Sequence, residues 1–536
     1  MEKIVLYPSP GIGHLISMVE LGKLLLSNSS SISSITILIV NFPFLTGSYS
    51  SYISSVSASF PSITFLSLPS VPLLLGDPSN YEDFEQIIFE FLRSNSNNVK
   101  QSLESISISS PVSAFILDFF CYPALEVSLS LKIPTYYFYT SGASALALCL
   151  NLPVFDKIAT DSYRNLKTSF EIPGLFSVPA DHMLEPMLDR GVSYYEFVKV
   201  AETMLKSDGI IVNSFESLEV KAVKGLKQGT CLPGTQIPPV YCIGPLFANR
   251  GGGAENSGEE RHECLKWLDS QPSKSVVYLG FGSRGVFSKE QILEIAFGLE
   301  RSGVRFLWTV RAPPSEEKGA KFSDPPDPDL DLILPVGFLD RTKDRGHVAK
   351  SWVPQIAILG HESVGGFFSH CGWNSTLEAV DAGAPMVAWP LYAEQRFNKI
   401  LIVEEIGIAL PMDENEDWFV SSSEIEKRVK QILGSEGDVV RKQMLEMREK
   451  GKIALNEGQS SNVALTTLME SWVAELDSAD CALLAELTVE PIPLIRVFSV
   501  QAPHIEEKCS KFSKPPDSKD SNLPKKILDQ LRIGVM

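Results

Sequence analysis

Residues 352–395 read WVPQIAILGHESVGGFFSHCGWNSTLEAVDAGAPMVAWPLYAEQ, and this segment predicts the architecture of the second half of the chain. The apolar run Gly365–Phe368 has the length and residue types of a buried strand, and the pattern of Asn374–Ala382 is helical. A second short apolar run, Met386–Trp389, follows the helix. Strand, helix and strand in this order predict a βαβ unit of a parallel sheet.

Polar groups crowd the turn where this helix begins. Four of them stand at or just before its first turn: His370, Asn374, Ser375 and Thr376. The free N–H groups and the dipole of a helix N-terminus favour a phosphate there. Glu378 lies one turn further and can accept from sugar hydroxyls, while Trp352 offers a flat face to a base. Glu394 and Gln395 end the segment at a strand-to-loop junction that suits the recognition of hydroxyls.

The same alternation of strands and helices runs outward in both directions. The first half predicts buried strands at Ile4–Tyr7, Ile35–Asn41, Ile63–Leu66, Ala114–Leu117, Thr135–Tyr139 and Ile210–Asn213. The second half adds strands at Ser275–Leu279 and Phe306–Val310. Helical patterns stand between the strands at Leu15–Leu26, Phe84–Ser105 and Lys289–Leu299. We therefore expect an α/β protein with two doubly wound parallel sheets and a cleft between them, where ligands bind beyond the carboxyl ends of the strands.

Composition excludes several classes of protein. The chain has 536 residues, of which 44% are hydrophobic and 21% charged, so it can bury large cores without disulfides. Its 47 basic and 65 acidic residues give a net charge of −18, which argues against nucleic acid and against an anionic membrane surface as partners.

The cysteines and the apolar runs predict a cytoplasmic protein. No two of the 8 cysteines have Cys-x-x-Cys spacing, which indicates buried thiols in a reducing compartment. The apolar start at residues 4–6 is interrupted by Pro8, Pro10 and Gly11, unlike a signal peptide. No window reaches 18 apolar residues, so no stable membrane insertion is expected.

His14 and Asp118 are the candidate catalytic residues. His14 follows the first strand at a glycine-rich turn, and its unperturbed pKa near ~6.5 suits a general base. Asp118 ends another strand of the same sheet, so the two side chains can meet at the cleft. A carboxylate on the far imidazole nitrogen selects the tautomer and stabilises the imidazolium.

The 44-residue segment resembles the signature motif of the plant family 1 UDP-glycosyltransferases along its whole length. The resemblance covers residues 1 to about 472 and includes four shorter stretches: Pro10-Gly-Ile-Gly-His-Leu15, Asp118-Phe-Phe-Cys121, Ile243-Gly-Pro-Leu246 and Phe281-Gly-Ser283. The opening and the string from Phe281 to Ser288 are most similar to the subgroup that acts on chalcones, flavonoids and isoflavonoids. The resemblance implies two facing Rossmann-like domains of the GT-B type.

The resemblance also implies a role for each matching residue. Trp352, the Val353 backbone and Gln355 would hold the uridine base, and Glu378 the ribose. The diphosphate would be bound by Ser283, His370, Asn374 and Ser375. The sugar hydroxyls would be contacted by Trp373, Glu394 and Gln395, and the donor would be contacted by Thr140 from the other domain. Gln395 is typical of members that use glucose, whereas galactose users tend to carry histidine there.

Two other motifs favour different readings. The stretch Gly280-Phe-Gly282-Ser-Arg-Gly285 matches the G-x-G-x-x-G motif of a dinucleotide site. The next strand, however, ends in Arg311, where a site for NAD would have an acidic residue that binds the ribose. Of the two nicotinamide dinucleotides, only NADP would tolerate an arginine at this position. Asp327-Pro-Asp329-Leu-Asp331 imitates an acidic metal site but lies in a proline-rich stretch. The alternatives to a glycosyltransferase are therefore an NADP oxidoreductase and a non-catalytic binding protein for a nucleotide-sugar or small phenol.

The resemblance implies an inverting O-glucosyltransferase that joins glucose from UDP-glucose to a phenolic small molecule in plant secondary metabolism. We expect a monomer that needs neither a cofactor nor a metal ion. The expected divisions are an acceptor-binding domain (1–245), a linker (246–261), a UDP-sugar-binding domain (262–459), a helix that returns to the first domain (460–474) and a tail (475–536). In the tail, residues 500–517 repeat residues 310–327 with 12 of 18 positions identical, and its charge and prolines predict disorder.

Overall fold

The computed structural model describes residues 2–42, 49–76, 80–248, 261–314, 326–350 and 352–472. Most of the predicted linker and the whole predicted tail lie outside the described residues. Within the described ranges the chain forms two large parallel sheets of seven and six strands, and a small two-stranded sheet.

The strands of the first half are β1 (Glu2–Tyr7), β2 (Ile32–Ile39), β3 (Ile63–Ser67), β4 (Val112–Asp118), β5 (Thr135–Tyr139), β6 (Ser169–Glu171), β7 (Ser177–Pro179), β8 (Gly209–Val212) and β9 (Val240–Cys242). Those of the second half are β10 (Val276–Gly280), β11 (Arg305–Val310), β12 (Gly346–Lys350), β13 (Val364–Ser369), β14 (Met386–Ala388) and β15 (Ala409–Pro411). Both faces of the large sheets are covered, and β4, β8 and β10 are buried along their whole length. This double burial is why they appear in the sequence as continuous apolar runs.

The helices of the first half are α1 (Ile12–Asn28), α2 (Tyr49–Ser59), α3 (Phe84–Ser94), α4 (Ser96–Ser109), α5 (Leu125–Ser130), α6 (Ala143–Ile158), α7 (Val192–Met204) and α8 (Val220–Gln228). Those of the second half are α9 (Glu263–Asp269), α10 (Lys289–Ser302), α11 (Leu330–Ile333), α12 (Phe338–Thr342), α13 (Gln355–Leu359), α14 (Trp373–Ala382), α15 (Gln395–Ile400), α16 (Ser422–Leu433) and α17 (Ser435–Ala454). A final helix covers residues 460–472.

Strand order places the candidate site residues. The first sheet runs β3-β2-β1-β4-β5-β8-β9 and the second runs β12-β11-β10-β13-β14-β15. In both sheets the order reverses direction beside the first strand, between β1 and β4 and between β10 and β13. Ligands of doubly wound sheets bind at this switch point, beyond the carboxyl ends of the strands. The architecture of two Rossmann-like domains expected from the sequence is thus confirmed.

The predicted helix Phe84–Ser105 is wrong as a single element. The chain forms α3 and α4 instead, and they are separated at Asn95, whose side chain donates to the Phe91 carbonyl at 2.9 Å. Asn95 is almost completely buried, and its side-chain amide and its backbone N–H both donate to the Phe91 carbonyl at the single residue that interrupts the two helices. The short strands β6, β7, β9, β12 and β15 were also missed, because three to five residues carry too little periodicity.

The final helix packs on the first sheet. Leu465, Leu468 and Trp472 are buried in a hydrophobic core that also contains side chains from one face of β1, β2 and β4. Ser471 Oγ lies 3.0 Å from the Tyr136 hydroxyl, and the rings of Tyr136 and Trp472 meet edge to face with centroids 6.0 Å apart. In the described part of the chain, no helix is long and apolar enough to cross a membrane.

Candidate functional site

His14 and Asp118 meet at the switch point of the first sheet. His14 lies in the first turn of α1, which begins after Gly11, a residue whose φ of +131° favours glycine. Asp118 is the last residue of β4, and its Oδ2 lies 2.7 Å from His14 Nδ1. The Asp118 side chain is fully buried, whereas His14 is 28% exposed. Because Nδ1 faces the carboxylate, Nε2 is the nitrogen left to exchange a proton with a ligand.

The surroundings of His14 raise its pKa above the usual value. Burial lowers the pKa, but the charge and hydrogen bond of Asp118 outweigh this, and the charge of Glu394 adds to them. The charge of Arg284 acts in the opposite direction. The imidazole is therefore tuned by groups from both halves of the chain.

Aromatic rings surround this pair. The His14 ring lies 6.1 Å from the ring of Phe119 and 5.7 Å from that of Phe120, between centroids. Phe119 also contacts the Tyr139 ring at 5.3 Å. A flat apolar ligand with one hydroxyl fits such surroundings, because its rings can stack while the hydroxyl reaches Nε2.

His370 lies at the switch point of the second sheet, between β13 and the N-terminus of α14. A Cβ atom on Gly372 or on Gly282 would come within 2.3 or 2.6 Å of His370 Nε2, so only glycine lets the imidazole sit this deep. Burial lowers its pKa to about 4, which keeps the ring neutral at physiological pH. Its buried Nδ1 has no hydrogen-bond partner among the described residues. A neutral imidazole beside a helix N-terminus can donate to a phosphate oxygen.

A second group of polar side chains, joined by hydrogen bonds, consists of Gln355, Ser375 and Glu378. Gln355 Nε2 donates to Ser375 Oγ at 2.8 Å and to Glu378 Oε2 at 2.7 Å, and Gln355 Oε1 accepts from the Tyr278 hydroxyl at 3.2 Å. Burial raises the pKa of Glu378 to about 7, and the hydrogen bond from Gln355 acts against it. The sequence did not single out Tyr278, which orients Gln355 from the neighbouring strand β10.

The structure leaves Trp352 and Ser283 open to solvent. The Trp352 side chain is among the exposed large hydrophobic groups at 68%, and its ring lies edge-on to His262 at 6.0 Å. Val353, the next residue, is buried. Ser283 is exposed in the loop that follows β10. An exposed indole at the cleft is available to stack on a base.

Trp373 and Asn374 reach toward the first half of the chain. Trp373 is buried, and its indole Nε1 donates to the Asn213 carbonyl at 2.7 Å. Asn374 Nδ2 lies 3.4 Å from Ser17 Oγ in α1. With its indole N–H engaged, Trp373 can offer a ligand its ring and its backbone N–H, which is the first of α14.

Glu394 and Gln395 are held by different partners. Glu394 Oε1 accepts from Ser141 Oγ at 2.9 Å, across from the first half of the chain. Gln395 is buried, and its Oε1 accepts from the backbone N–H groups of Leu391 and Tyr392 at 2.9 and 3.0 Å. Thr140 is half-buried immediately before Ser141.

Sequence reasoning missed Ser141 and Glu219. Ser141 stands next to the candidate Thr140, but only the fold shows that its hydroxyl meets Glu394. Glu219 accepts from the backbone N–H groups of Ala143 and Ser144 at 2.8 and 2.7 Å, and from Ser214 Oγ. Glu219 thereby caps the N-terminus of α6, although it lies about 75 residues further along the chain. No local sequence pattern indicates a cap from so far away.

The two motifs with other readings are also placed. Gly282 and Gly285 lie in the loop after β10, where Gly282 makes room for His370. Asp329 caps α11 by accepting from the Asp331 N–H at 3.1 Å. In the described ranges, no group of three or more His, Cys, Asp or Glu side chains could hold a metal ion.

Comparisons with known proteins agree on one kind of protein. The family model described as UDP-glucoronosyl and UDP-glucosyl transferase matches residues 245–445. UDP-glycosyltransferase 88B1 of Stevia rebaudiana is 49% identical over 472 residues, covering 88% of this chain and 99% of its own. Anthocyanidin 5,3-O-glucosyltransferase of a Rosa hybrid cultivar is 44% identical over 484 residues, with the same two coverages.

A solved structure is similar over the same part of the chain. The structure of Phytolacca americana UGT2 complexed with UDP-2fluoro-glucose and pterostilbene has a TM-score of 0.76 and 34% identity. The similarity covers 88% of this chain and 100% of that chain. Neither an NADP oxidoreductase nor a non-catalytic binding protein gains support from these relatives.

Proposed function

The chain belongs to the family of UDP-glucoronosyl and UDP-glucosyl transferases, and on that premise we propose that it transfers glucose from UDP-glucose to a hydroxyl of a flat phenol, giving a β-glucoside and UDP. The observation that carries the proposal is the contact of 2.7 Å between His14 Nδ1 and Asp118 Oδ2 at the switch point of the first sheet. Relatives named for anthocyanidin and phloretin support a phenol of the flavonoid or chalcone class as the acceptor.

In the proposed reaction, His14 Nε2 takes the proton of the phenolic hydroxyl. The oxygen attacks the anomeric carbon from the face opposite the diphosphate, so a single displacement converts the α-linked donor to a β-glucoside. The bond from the anomeric carbon to the diphosphate oxygen breaks, and UDP leaves with the electron pair. Asp118 stays ionised and stabilises the imidazolium that forms.

The donor is proposed to lie across the second sheet. Trp352 stacks on uracil while the Val353 backbone and Gln355 hold its edge, and Glu378 binds the ribose hydroxyls. The diphosphate faces the N-terminus of α14, with contacts from Ser283, His370, Asn374 and Ser375. The glucose hydroxyls meet Thr140, Trp373, Glu394 and Gln395.

The test is turnover with a panel of phenols. Incubation with UDP-glucose and each phenol should release UDP and give a product whose anomeric proton has the large coupling constant of a β-glucoside. UDP release that does not depend on a phenol, or the absence of any glucoside, would contradict the proposal.

Gln395→His should shift donor use from UDP-glucose toward UDP-galactose. Gln395 Oε1 is committed to two backbone N–H groups of its loop, so only its Nε2 group could donate to a sugar hydroxyl. Losing such a partner typically costs ~1–3 kcal/mol, which predicts a change of roughly tenfold in the donor ratio. Competition between the two UDP-sugars, with product analysis, measures it. Gln395→Asn is the matched control, and it should weaken glucose use without a gain for galactose.

Activity should fall on the acidic side at a pH above the usual histidine value. A general base must be neutral to accept a proton, and Asp118 and Glu394 raise the pKa of His14 against the effect of burial. The logarithm of kcat/KM, measured from about pH 5.5 to 9, should therefore rise through a pKa above ~6.5. If the acidic limb of the profile had a pKa below that value, the titrating group would not be His14.

We also propose the remaining features that the sequence predicts. The chain would divide into the acceptor-binding domain 1–245 and the donor-binding domain 262–459, and would work as a monomer in the cytoplasm. Six buried free thiols in the described part of the chain support a reducing compartment. A helix terminus and His370 offer the diphosphate its partners, which supports a reaction independent of a metal ion.

A further inference from the structure

Arg284 lies at the cleft, and the proposed reaction gives it no role. It lies in the loop between β10 and α10, and its side chain is 54% exposed. The guanidinium carbon lies 4.4 Å from the ring centroid of Phe84, in the first half of the chain, and 5.9 Å from that of Tyr392. The charge is thus held between two aromatic rings that come from opposite sides of the cleft.

Among the described residues, Glu85 is the acidic group that forms an ion pair with this charge. Its Oε1 lies 3.7 Å from Arg284 Nη1, which is an ion pair beyond hydrogen-bond distance. The Glu85 side chain is only 16% exposed. Burial raises its pKa to about 7, and the charge of Arg284 acts against this. Glu85 therefore neutralises Arg284 only in part near neutral pH.

Arg284 also lies near the chemistry. Arg284 follows β10 at the switch point of the second sheet, and its charge lowers the pKa of His14 at the switch point of the first sheet. Phe84, which carries the guanidinium on its face, packs edge-on against Phe42 at 5.9 Å. The guanidinium lies at the first turn of α3, so an acceptor that extends from His14 toward this turn would meet a planar cation that offers several N–H donors.

We propose that Arg284 is a specificity-determining residue that selects acceptors carrying an anionic group, such as a carboxylate or an ionised phenol, and that Glu85 competes with that group for the guanidinium. This inference rests on the proposed function and adds the charge of the preferred acceptor class. A charged hydrogen bond to guanidinium adds both orientation and binding free energy. The competing role for Arg284 is contact with the donor diphosphate, because Ser283 precedes it.

The experiment compares p-coumaric acid with its methyl ester, two phenols that differ in one carboxylate. The measured quantity is the acid-to-ester ratio of kcat/KM for the phenolic glucoside. Arg284→Met keeps the length of the side chain but removes the charge, and it should lower this ratio by roughly tenfold, the effect expected of one charged hydrogen bond. Arg284→Lys, which keeps the charge without the planar fork, should give an intermediate ratio.

Glu85→Gln supplies a result of opposite sign. Removing the competing carboxylate should raise the acid-to-ester ratio, which simple misfolding cannot do. An unchanged ratio in both variants would overturn the proposal. An equal rise in the KM for UDP-glucose with either acceptor would assign Arg284 to the diphosphate instead.

Binding separates this inference from the proposed reaction. Calorimetric titration of the UDP-loaded protein with the acid and with the ester requires no turnover. If the wild-type protein binds the acid more tightly than the ester, and Arg284→Met abolishes this preference, the inference is supported even if no glucoside forms. In that case only the proposed function would be wrong. Equal binding of acid and ester by the wild-type protein would overturn the inference, whatever the turnover.

Discussion

His14→Ala is expected to lower kcat for glucosyl transfer by ~100- to 10,000-fold, the usual contribution of a positioned general base. The reason is that Nε2 is the only atom of the pair left to accept the phenolic proton, since Nδ1 is bonded to Asp118. UDP binding should stay close to that of the wild type, because the proposed nucleotide contacts lie on the second sheet. Steady-state kinetics and a UDP titration measure the two quantities.

His182 provides a matched control for this variant. Its Nδ1 lies 2.9 Å from Asp181 and its side chain is 24% exposed, so it resembles His14 in partner and burial. It follows β7 of the small two-stranded sheet, and not a strand of the switch point. His182→Ala should retain most of the activity. If His14→Ala kept more than about a tenth of the wild-type kcat, the assignment of the base would be wrong.

Asp118→Asn is expected to reduce kcat by at least ~100-fold, because it reverses the hydrogen bond to His14. An asparagine that turns its N–H toward Nδ1 makes that nitrogen an acceptor and leaves the proton on Nε2, where the acceptor hydroxyl needs a free lone pair. In the Ser-His-Asp triad the corresponding change costs on the order of 10,000-fold. The fold should tolerate it, because the other oxygen can still accept from the Phe120 N–H, now at 3.1 Å.

The pH profile distinguishes this explanation from a damaged fold. Without the negative charge, the pKa that controls the acidic limb should fall, since Asp118 is the main group that raises it. Asp181→Asn, the corresponding change in the control pair, should leave both kcat and the profile in place. An Asp118→Asn enzyme with normal kcat would refute the role given to the carboxylate.

Local sequence patterns were sufficient for the fold class and for the positions of the best candidates. Buried strands are continuous apolar runs, so β1, β4 and β13 could be found, and with them the turns that carry His14, Asp118 and His370. A parallel sheet brings the carboxyl ends of its strands to one edge, which is why residues about a hundred positions apart could be expected to meet.

Contacts between distant segments could not be predicted in this way. Ser141 meets Glu394, Trp373 donates to Asn213, and Arg284 lies on Phe84, each across the two halves of the chain. Such pairs depend on how the two halves pack against each other, and the hydrophobic periodicity of the sequence does not predict that packing. The interruption at Asn95 is of a different, local kind: the backbone angles of Asn95 remain helical, and its buried side chain donates to the Phe91 carbonyl.

The carboxylate of Glu219 gives the donor a direction. Two helix N-termini border the proposed sugar site: that of α14, beside His370, and that of α6, next to Gly142, where an added Cβ would lie 2.9 Å from the Trp373 ring. At α6 the first N–H groups already donate to Glu219, so they are not available to a second acceptor. Of these two termini, only α14 can receive the diphosphate. A nucleotide-sugar that entered the cleft in the opposite direction would place its phosphates at N–H groups that already donate to Glu219, so we expect the cleft to accept its donor in one polarity.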